Sequence, residues 1–142
     1  MEYPRKIGVD RVLYTQTWAE MAGHWGKEEV LSPKMPRKLK YTGDHAFYAI
    51  TKCMIVDTME HYKQEYGIKN FVFRLPNVYL YHPDTYYYVD CKKKLVAYRY
   101  MIERAQKGEN IEMWGNPNAF KDILYVKDLC QMMYKALFAD VN

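Results

Sequence analysis

Apolar and polar positions alternate along this chain in a way that marks most of its elements. Residues 11–17, "RVLYTQT", carry the β-branched and aromatic content of a short strand. Residues 18–43 hold Gly23, Gly26, Pro33, Pro36 and Gly43 and read as a long connection with room for one short helix. Loops of this length inside a compact domain are usually functional or mobile. Residues 44–66 form the clearest helix. Thr42 or Asp44 is placed to cap its start and Gly67 to stop it. Its first half is apolar nearly all round, from Ala46 to Val56, so it is expected to pack on more than one side. Its second half turns polar at Asp57, Glu60, His61, Lys63 and Glu65.

"NFVFRLP", residues 70–76, reads as a buried strand closed by Pro76. Strand, connection, helix and strand in this order predict a βαβ unit with a parallel sheet. Residues 79–90 read as a tyrosine-rich loop. A second helix is predicted over 91–107, with Lys92–Lys94 in its first turn and Gly108 after its end. Cations in a first turn are unfavourable unless they meet an anion, so Asp90–Lys94 is a candidate phosphate site, or simply a solvated basic turn. Residues 111–114 read as a short strand, 115–119 as a turn, 122–126 as a strand and 127–139 as an amphipathic helix. There is no internal repeat.

Composition narrows the class. At 142 residues, 49% hydrophobic and 16% aromatic, the chain is globular and most simply one domain. A net charge of +4 is weak support for nucleic acid, and none is expected as a partner. The odd set Cys53, Cys91 and Cys130 has no C-x-x-C spacing, which disfavours a disulfide framework or zinc and points to a reducing cytoplasm. Met1 opens on no apolar signal segment, and no apolar run is long enough to span a membrane. The four histidines show no metal spacing.

The chemistry centres on "FYAITK", residues 47–52. Tyr48 and Lys52, four apart, share a helix face. An ammonium beside a phenol favours the phenolate and suits Tyr48 to general acid–base work. Yet with 15 tyrosines and 15 lysines, about one or two such pairs arise by chance, and Tyr88/Lys92 is a second. Spacing alone fits equally a half-buried tyrosine and a snorkelling lysine. Context separates the two pairs. Thr17, with Thr15 as a fallback, ends the preceding strand at the edge where parallel sheets place ligand contacts.

Four ordered blocks follow one another: "YTQT" (14–17), "YAITK" (48–52), "FRLPNVY" (73–79) and "GENIEMWGNPNAFKDILYVKD" (108–128). In this order the chain resembles the extended short-chain dehydrogenase/reductases, in the NAD-dependent epimerase/dehydratase branch, over residues 11–139. The resemblance implies an α/β fold: a partial Rossmann-type parallel sheet with helices in residues 1–76, the later portion of a dinucleotide-binding domain, and part of a smaller substrate-binding region with a closing helix in 77–142. It implies NAD or NADP as cofactor and a nucleotide sugar as substrate. Tyr48 would be the acid–base, Lys52 the holder of the nicotinamide ribose, and Thr17 the hydroxyl beside the reacting group. Backbone at Pro76 would approach the nicotinamide amide, while Asn77 and Lys121 would contact substrate; Lys94 is a separate candidate for a substrate phosphate, from the basic turn described above. Departures from the family pattern are Leu80 for a glycine, Lys121 for an arginine and "MAG" (21–23) for V-Y-G. Trp18 and Ala19 after Thr17, where dehydratases often carry Asp-Glu, argue for an epimerase or reductase.

The glycines at 8, 23, 26, 43, 67, 108 and 115 form no G-x-x-G-x-x-G, the phosphate loop on which such enzymes depend. Without the segment that carries it, strand 11–17 would lack parallel neighbours and the apolar start of helix 44–66 part of its cover. The chain is therefore expected to be marginal alone, to oligomerise (for example as a homodimer), or to be a fragment of a longer protein. A non-catalytic remnant or binding module is the rival to an enzyme. Of the remaining residues, the tyrosines of 79–88 fit either ligand stacking or lid packing, while His45 and Trp114 are expected to be structural.

Overall fold

The computed structural model describes residues 1–26, 30–80, 82, 84–113 and 115–140. Its elements are α1 (Glu2–Lys6), β1 (Arg11–Thr17), a 3₁₀ helix (Trp18–His24), α2 (Ala46–Tyr66), β2 (Lys69–Leu75), β3 (Asn77–Tyr79), β4 (Tyr86–Val89), β5 (Lys92–Leu95), α3 (Ala97–Gln106), β6 (Ile123–Tyr125) and α4 (Val126–Phe138). They fall into two units, Met1–Tyr79 with the segment from Ile123 onward, and Leu80–Asp122. These units do not coincide with a cut after residue 76. β6 and α4 return to the first unit because β6 pairs with β3 and α4 packs on β1.

In the first unit, β1 and β2 pair in parallel over seven positions, from Arg11 opposite Lys69 to Thr17 opposite Leu75. This is the βαβ arrangement read from the sequence. β1 pairs with β2 as its one neighbour in that sheet among the described strands. Pro76 then interrupts the ladder, since it has no N–H to donate. Beyond it the chain changes partner, and β3 runs parallel to β6. α2 ends where Gly67 takes φ +70°, its N–H bonding the Lys63 carbonyl oxygen at 2.9 Å. Its start differs from expectation. His45 occupies the cap position with no side-chain bond, and neither Thr42 nor Asp44 caps the helix. The buried residues gather under α2 and α4: Ala49, Cys53, Met59, Ile68, Leu129 and Ala136. One face of α2 is open instead, with Phe47 79% and Met54 62% exposed. Arg11 closes the far end of the unit, donating to the carbonyls of Ala136 and Ala139 at the end of α4, where a cation meets the negative end of the helix.

The second unit departs from the sequence reading. Residues 79–90 are not all loop, and Lys92–Lys94 do not open a helix. Asp90 and Cys91 adopt φ +49° and +59°, turning the chain into a hairpin of β4 against β5. α3 begins only at Ala97, after Val96. The charges explain the difference. Three cations in a first turn would oppose the helix dipole, whereas on a strand they alternate between faces. Lys93 lies 3.9 Å from the Tyr86 ring centroid, a cation–π contact. Residues 111–113 form no strand, and Trp114 and Tyr81 lie outside the described residues.

Candidate functional site

Parallel pairing puts the ends of β1 and β2, Thr17 and Leu75, side by side. α2 lies over that edge. Together they enclose a cavity of about 240 Å³ whose lining includes Thr17, Trp18, His45, Tyr48, Lys52 and Pro76. Of the seven candidate residues named from the sequence, four (Thr17, Tyr48, Lys52 and Pro76) meet in one place. Asn77 does not line it, being half-buried on β3.

Tyr48 is 47% exposed at the cavity, on the first turn of α2. Lys52 follows one turn later on the same side. Its ammonium donates to the Thr15 carbonyl oxygen at 2.7 Å, lies 4.6 Å from the Tyr14 ring centroid, and is 5.9 Å from that of Tyr48. Two rings and a carbonyl therefore surround one cation. Thr17 is buried, and its hydroxyl oxygen accepts the Ala19 N–H at 3.1 Å as cap of the 3₁₀ helix. Its hydroxyl proton is not used by that bond. Lys94, on β5 opposite Tyr87, and Lys121 belong to the second unit. The helix-terminus argument for Lys94 falls with the hairpin.

Sequence reasoning missed the polar group that fixes this edge. Glu20 is 2% exposed, yet its carboxylate meets Arg74 Nε at 2.5 Å and accepts from Gln16 Nε2 at 3.1 Å. The Gln16 amide oxygen in turn accepts the Thr17 N–H at 2.8 Å. Arg74 also donates to the Pro33 carbonyl at 2.7 Å, so β1, β2 and the long connection are tied at one point. Gly23 lets that connection close. Its N–H bonds the Lys38 carbonyl at 2.7 Å, and a Cβ there would stand 2.8 Å from the same oxygen. Cys53 lies beside this group. Burial pushes its thiol up from the ordinary range, and the Glu20 carboxylate adds to the shift. His45, expected to be structural, borders the cavity and meets Trp18 edge-on at 5.8 Å.

Among the described residues no group of His, Cys, Asp and Glu is placed to hold a metal, and no helix is long and apolar enough to cross a membrane. The groups at the cavity suit one end of a dinucleotide. Lys52 and Tyr48 offer donors for a ribose, and Leu75–Pro76 offers an apolar rim.

A comparison with the curated proteins found no match. Among solved structures the chain is similar to UDP-glucose 4-epimerase of Thermus thermophilus, a complex with NAD, at 24% identity and a TM-score of 0.70, covering 97% of this chain and 42% of that one. It is similar to UDP-N-acetylglucosamine 4-epimerase of Methanobrevibacter ruminantium, in complex with UDP-N-acetylmuramic acid, at 15% identity and a TM-score of 0.72, covering 98% and 41%. UDP-glucose 4-epimerase of Thermotoga maritima with UDP-glucose gives 24%, 0.67, 95% and 40%. At these identities the likeness establishes the fold, and the chain spans about two-fifths of the length of each of these proteins. The family model for the NAD dependent epimerase/dehydratase family matches residues 1–142, the whole chain, and the chain belongs to that family.

Proposed function

We propose that this chain is the middle-to-late portion of an NAD-dependent epimerase acting on a sugar nucleotide, with Tyr48 as its acid–base. The observation that carries this is the meeting of Tyr48, Lys52, Thr17 and Pro76 around one cavity at the carboxyl edge of a parallel strand pair. Tyr48 takes the proton of a sugar hydroxyl and returns it to the resulting carbonyl. Lys52 offers its remaining N–H groups to a ribose beside Tyr48. Thr17, its oxygen engaged by Ala19, donates its hydroxyl proton to the reacting oxygen. NAD or NADP, when bound, supplies the acceptor and donor of hydride at the sugar carbon. Asn77 and Lys121 are assigned to substrate. Residues 1–76 are read as dinucleotide-binding and 77–142 as substrate-binding. The cytoplasm is the proposed location, and no nucleic-acid or membrane partner is assigned. The open apolar face of α2 is read as covered in the working protein, as it would be in a homodimer.

The test is Tyr48→Phe in a protein that contains this chain and turns over. Turnover should fall by orders of magnitude with cofactor affinity retained. Surviving activity would remove Tyr48 from its role. A second reading, a non-catalytic binding module, rests on the glycine pattern, which includes no phosphate loop in these 142 residues. Calorimetry of this chain with NAD tests whether it is an enzyme as it stands: no heat of binding sinks that claim.

A further inference from the structure

Gln16 is a buried polar group that the proposed chemistry leaves unused. It is 2% exposed, yet it lines the cavity of Tyr48 and Lys52. Glutamine is mostly a surface residue, and a buried one needs its amide satisfied. Three groups do so. Its Nε2 donates to the Glu20 carboxylate at 3.1 Å and to the Cys53 sulfur on α2 at 3.6 Å, and its Oε1 accepts the Thr17 N–H at 2.8 Å. The amide can face only one way. A carboxylate accepts and cannot donate, so it selects the nitrogen end and sends the oxygen to Thr17. Glu20 is itself set by the Arg74 guanidinium of β2. Thr17 is then held twice, its N–H by Gln16 and its Oγ1 by the Ala19 N–H. A methionine would fill the place of Gln16 with no polar atom to satisfy. What it could not do is fix the Thr17 peptide.

We infer that Gln16, oriented by Glu20, is a positioning residue: it fixes the Thr17 peptide so that the Thr17 hydroxyl meets the reacting oxygen beside Tyr48. This rests on the sugar-nucleotide reading above. The test is a double-mutant cycle of Gln16→Met and Thr17→Val in a protein that contains this chain and turns over a sugar nucleotide. Turnover is counted per NAD-binding site, so that unfolded protein does not enter. Thr17→Val should lower kcat about 100-fold, as loss of a hydrogen-bond donor to a reacting oxygen does. Gln16→Met should lower kcat about tenfold through a misplaced hydroxyl, with KM unchanged. In the Thr17→Val background, Gln16→Met should cost nothing further, because the hydroxyl it positions is gone. A residue that only supported the fold would cost the same factor in both backgrounds, and that additive result overturns the positioning role. So does full turnover by Gln16→Met. Should that variant not fold, Glu20→Gln takes its place in the cycle, since it removes the charge that orients the amide. A several-fold loss that vanishes in the Thr17→Val background supports the role, and an additive loss overturns it. Full turnover by Thr17→Val removes Thr17 from the reaction and Gln16 with it, while leaving Tyr48 to its own test.

Discussion

Lys52 is bound to the backbone of Thr15, its ammonium 2.7 Å from that carbonyl oxygen, so the helix carrying Tyr48 is pinned to the strand that ends at Thr17. Lys52→Met keeps the apolar stem but removes the ammonium. A hydrogen bond with a charged partner contributes about 1.5–3 kcal/mol when well buried. Because this one is only partly buried, a loss of about 1 kcal/mol is expected. Urea midpoints of the two proteins check this. An unchanged midpoint would mean that the ammonium adds nothing net to folding, leaving its role to the ligand alone.

Glu20 and Arg74 form an asymmetric pair, the acid 3% and the base 35% exposed at the side chain. Removing either partner therefore has unequal consequences. Arg74→Met leaves a buried carboxylate with Gln16 and the Cys53 thiol beside it but no cation, and breaking a buried pair in this way costs about 3–5 kcal/mol. Glu20→Gln leaves an arginine that water can reach, so about 1–2 kcal/mol is expected. Chemical denaturation of both variants gives the order directly. Equal losses would show that the carboxylate is better solvated than its burial implies.

The legible parts of this fold were those where local sequence and tertiary environment agree. The runs 11–17 and 70–76 became β1 and β2, and Gly67 ended α2 because a left-handed residue is needed there. The spacing of Tyr48 and Lys52 placed them on one helix face, and the family blocks told them apart from Tyr88 and Lys92, which the hairpin puts on separate strands. What stayed hidden depends on partners distant in sequence. Glu20 sits in a stretch rich in glycine and proline, where a glutamate is normally solvated. Only Arg74, more than fifty residues away, makes its burial tolerable. The Tyr14 ring near Lys52 likewise requires α2 to lie over β1. The hairpin was masked because residues 91–107 suit a helix by composition, and its turn uses Asp90 and Cys91 where glycine or asparagine would have announced it.

The three cysteines should differ in reactivity. Cys91 and Cys130 are exposed, while Cys53 is buried and its thiol is pushed up by that burial. Thiolate is the reactive form, so Cys53 is protected both by access and by protonation. Brief treatment of the native protein with iodoacetamide near pH 7.5 should label Cys91 and Cys130 and spare Cys53, as read by mass spectrometry of peptides. Rapid labelling of Cys53 would place α2 off the sheet for much of the time.

Acid should release α1. Glu2 is bonded to Arg5 and accepts the Tyr62 hydroxyl of α2 at 3.0 Å, and these bonds bring its carboxyl down to about 2. A carboxyl lowered in the folded state stabilises above the unfolded value, near 4.3, and that contribution is lost as pH falls from there towards 2. The difference in melting temperature between the native protein and Glu2→Gln should be present at pH 7 and vanish by about pH 2. Because the group is exposed, the difference should also shrink in high salt. A difference that persists at pH 2 would mean that the glutamine disturbs packing and not charge.

The β4–β5 turn stores strain that a single change should relieve. Cys91 sits at φ +59° with a Cβ that such a conformation crowds, at a cost of about 1–2 kcal/mol for a residue other than glycine or asparagine. Two-residue hairpins prefer Asn-Gly at these positions. Cys91→Gly removes the crowding but makes the unfolded chain more flexible, which returns part of the gain. A net stabilisation of about 0.5–1 kcal/mol is expected, seen as slower amide exchange across the pairs from Tyr86–Leu95 to Val89–Lys92. Cys91→Ala, which keeps a Cβ, should show none of this protection. The two variants together separate relief of backbone strain from simple loss of the thiol. Equal behaviour of the alanine and glycine proteins would show that the left-handed turn is not what limits the hairpin.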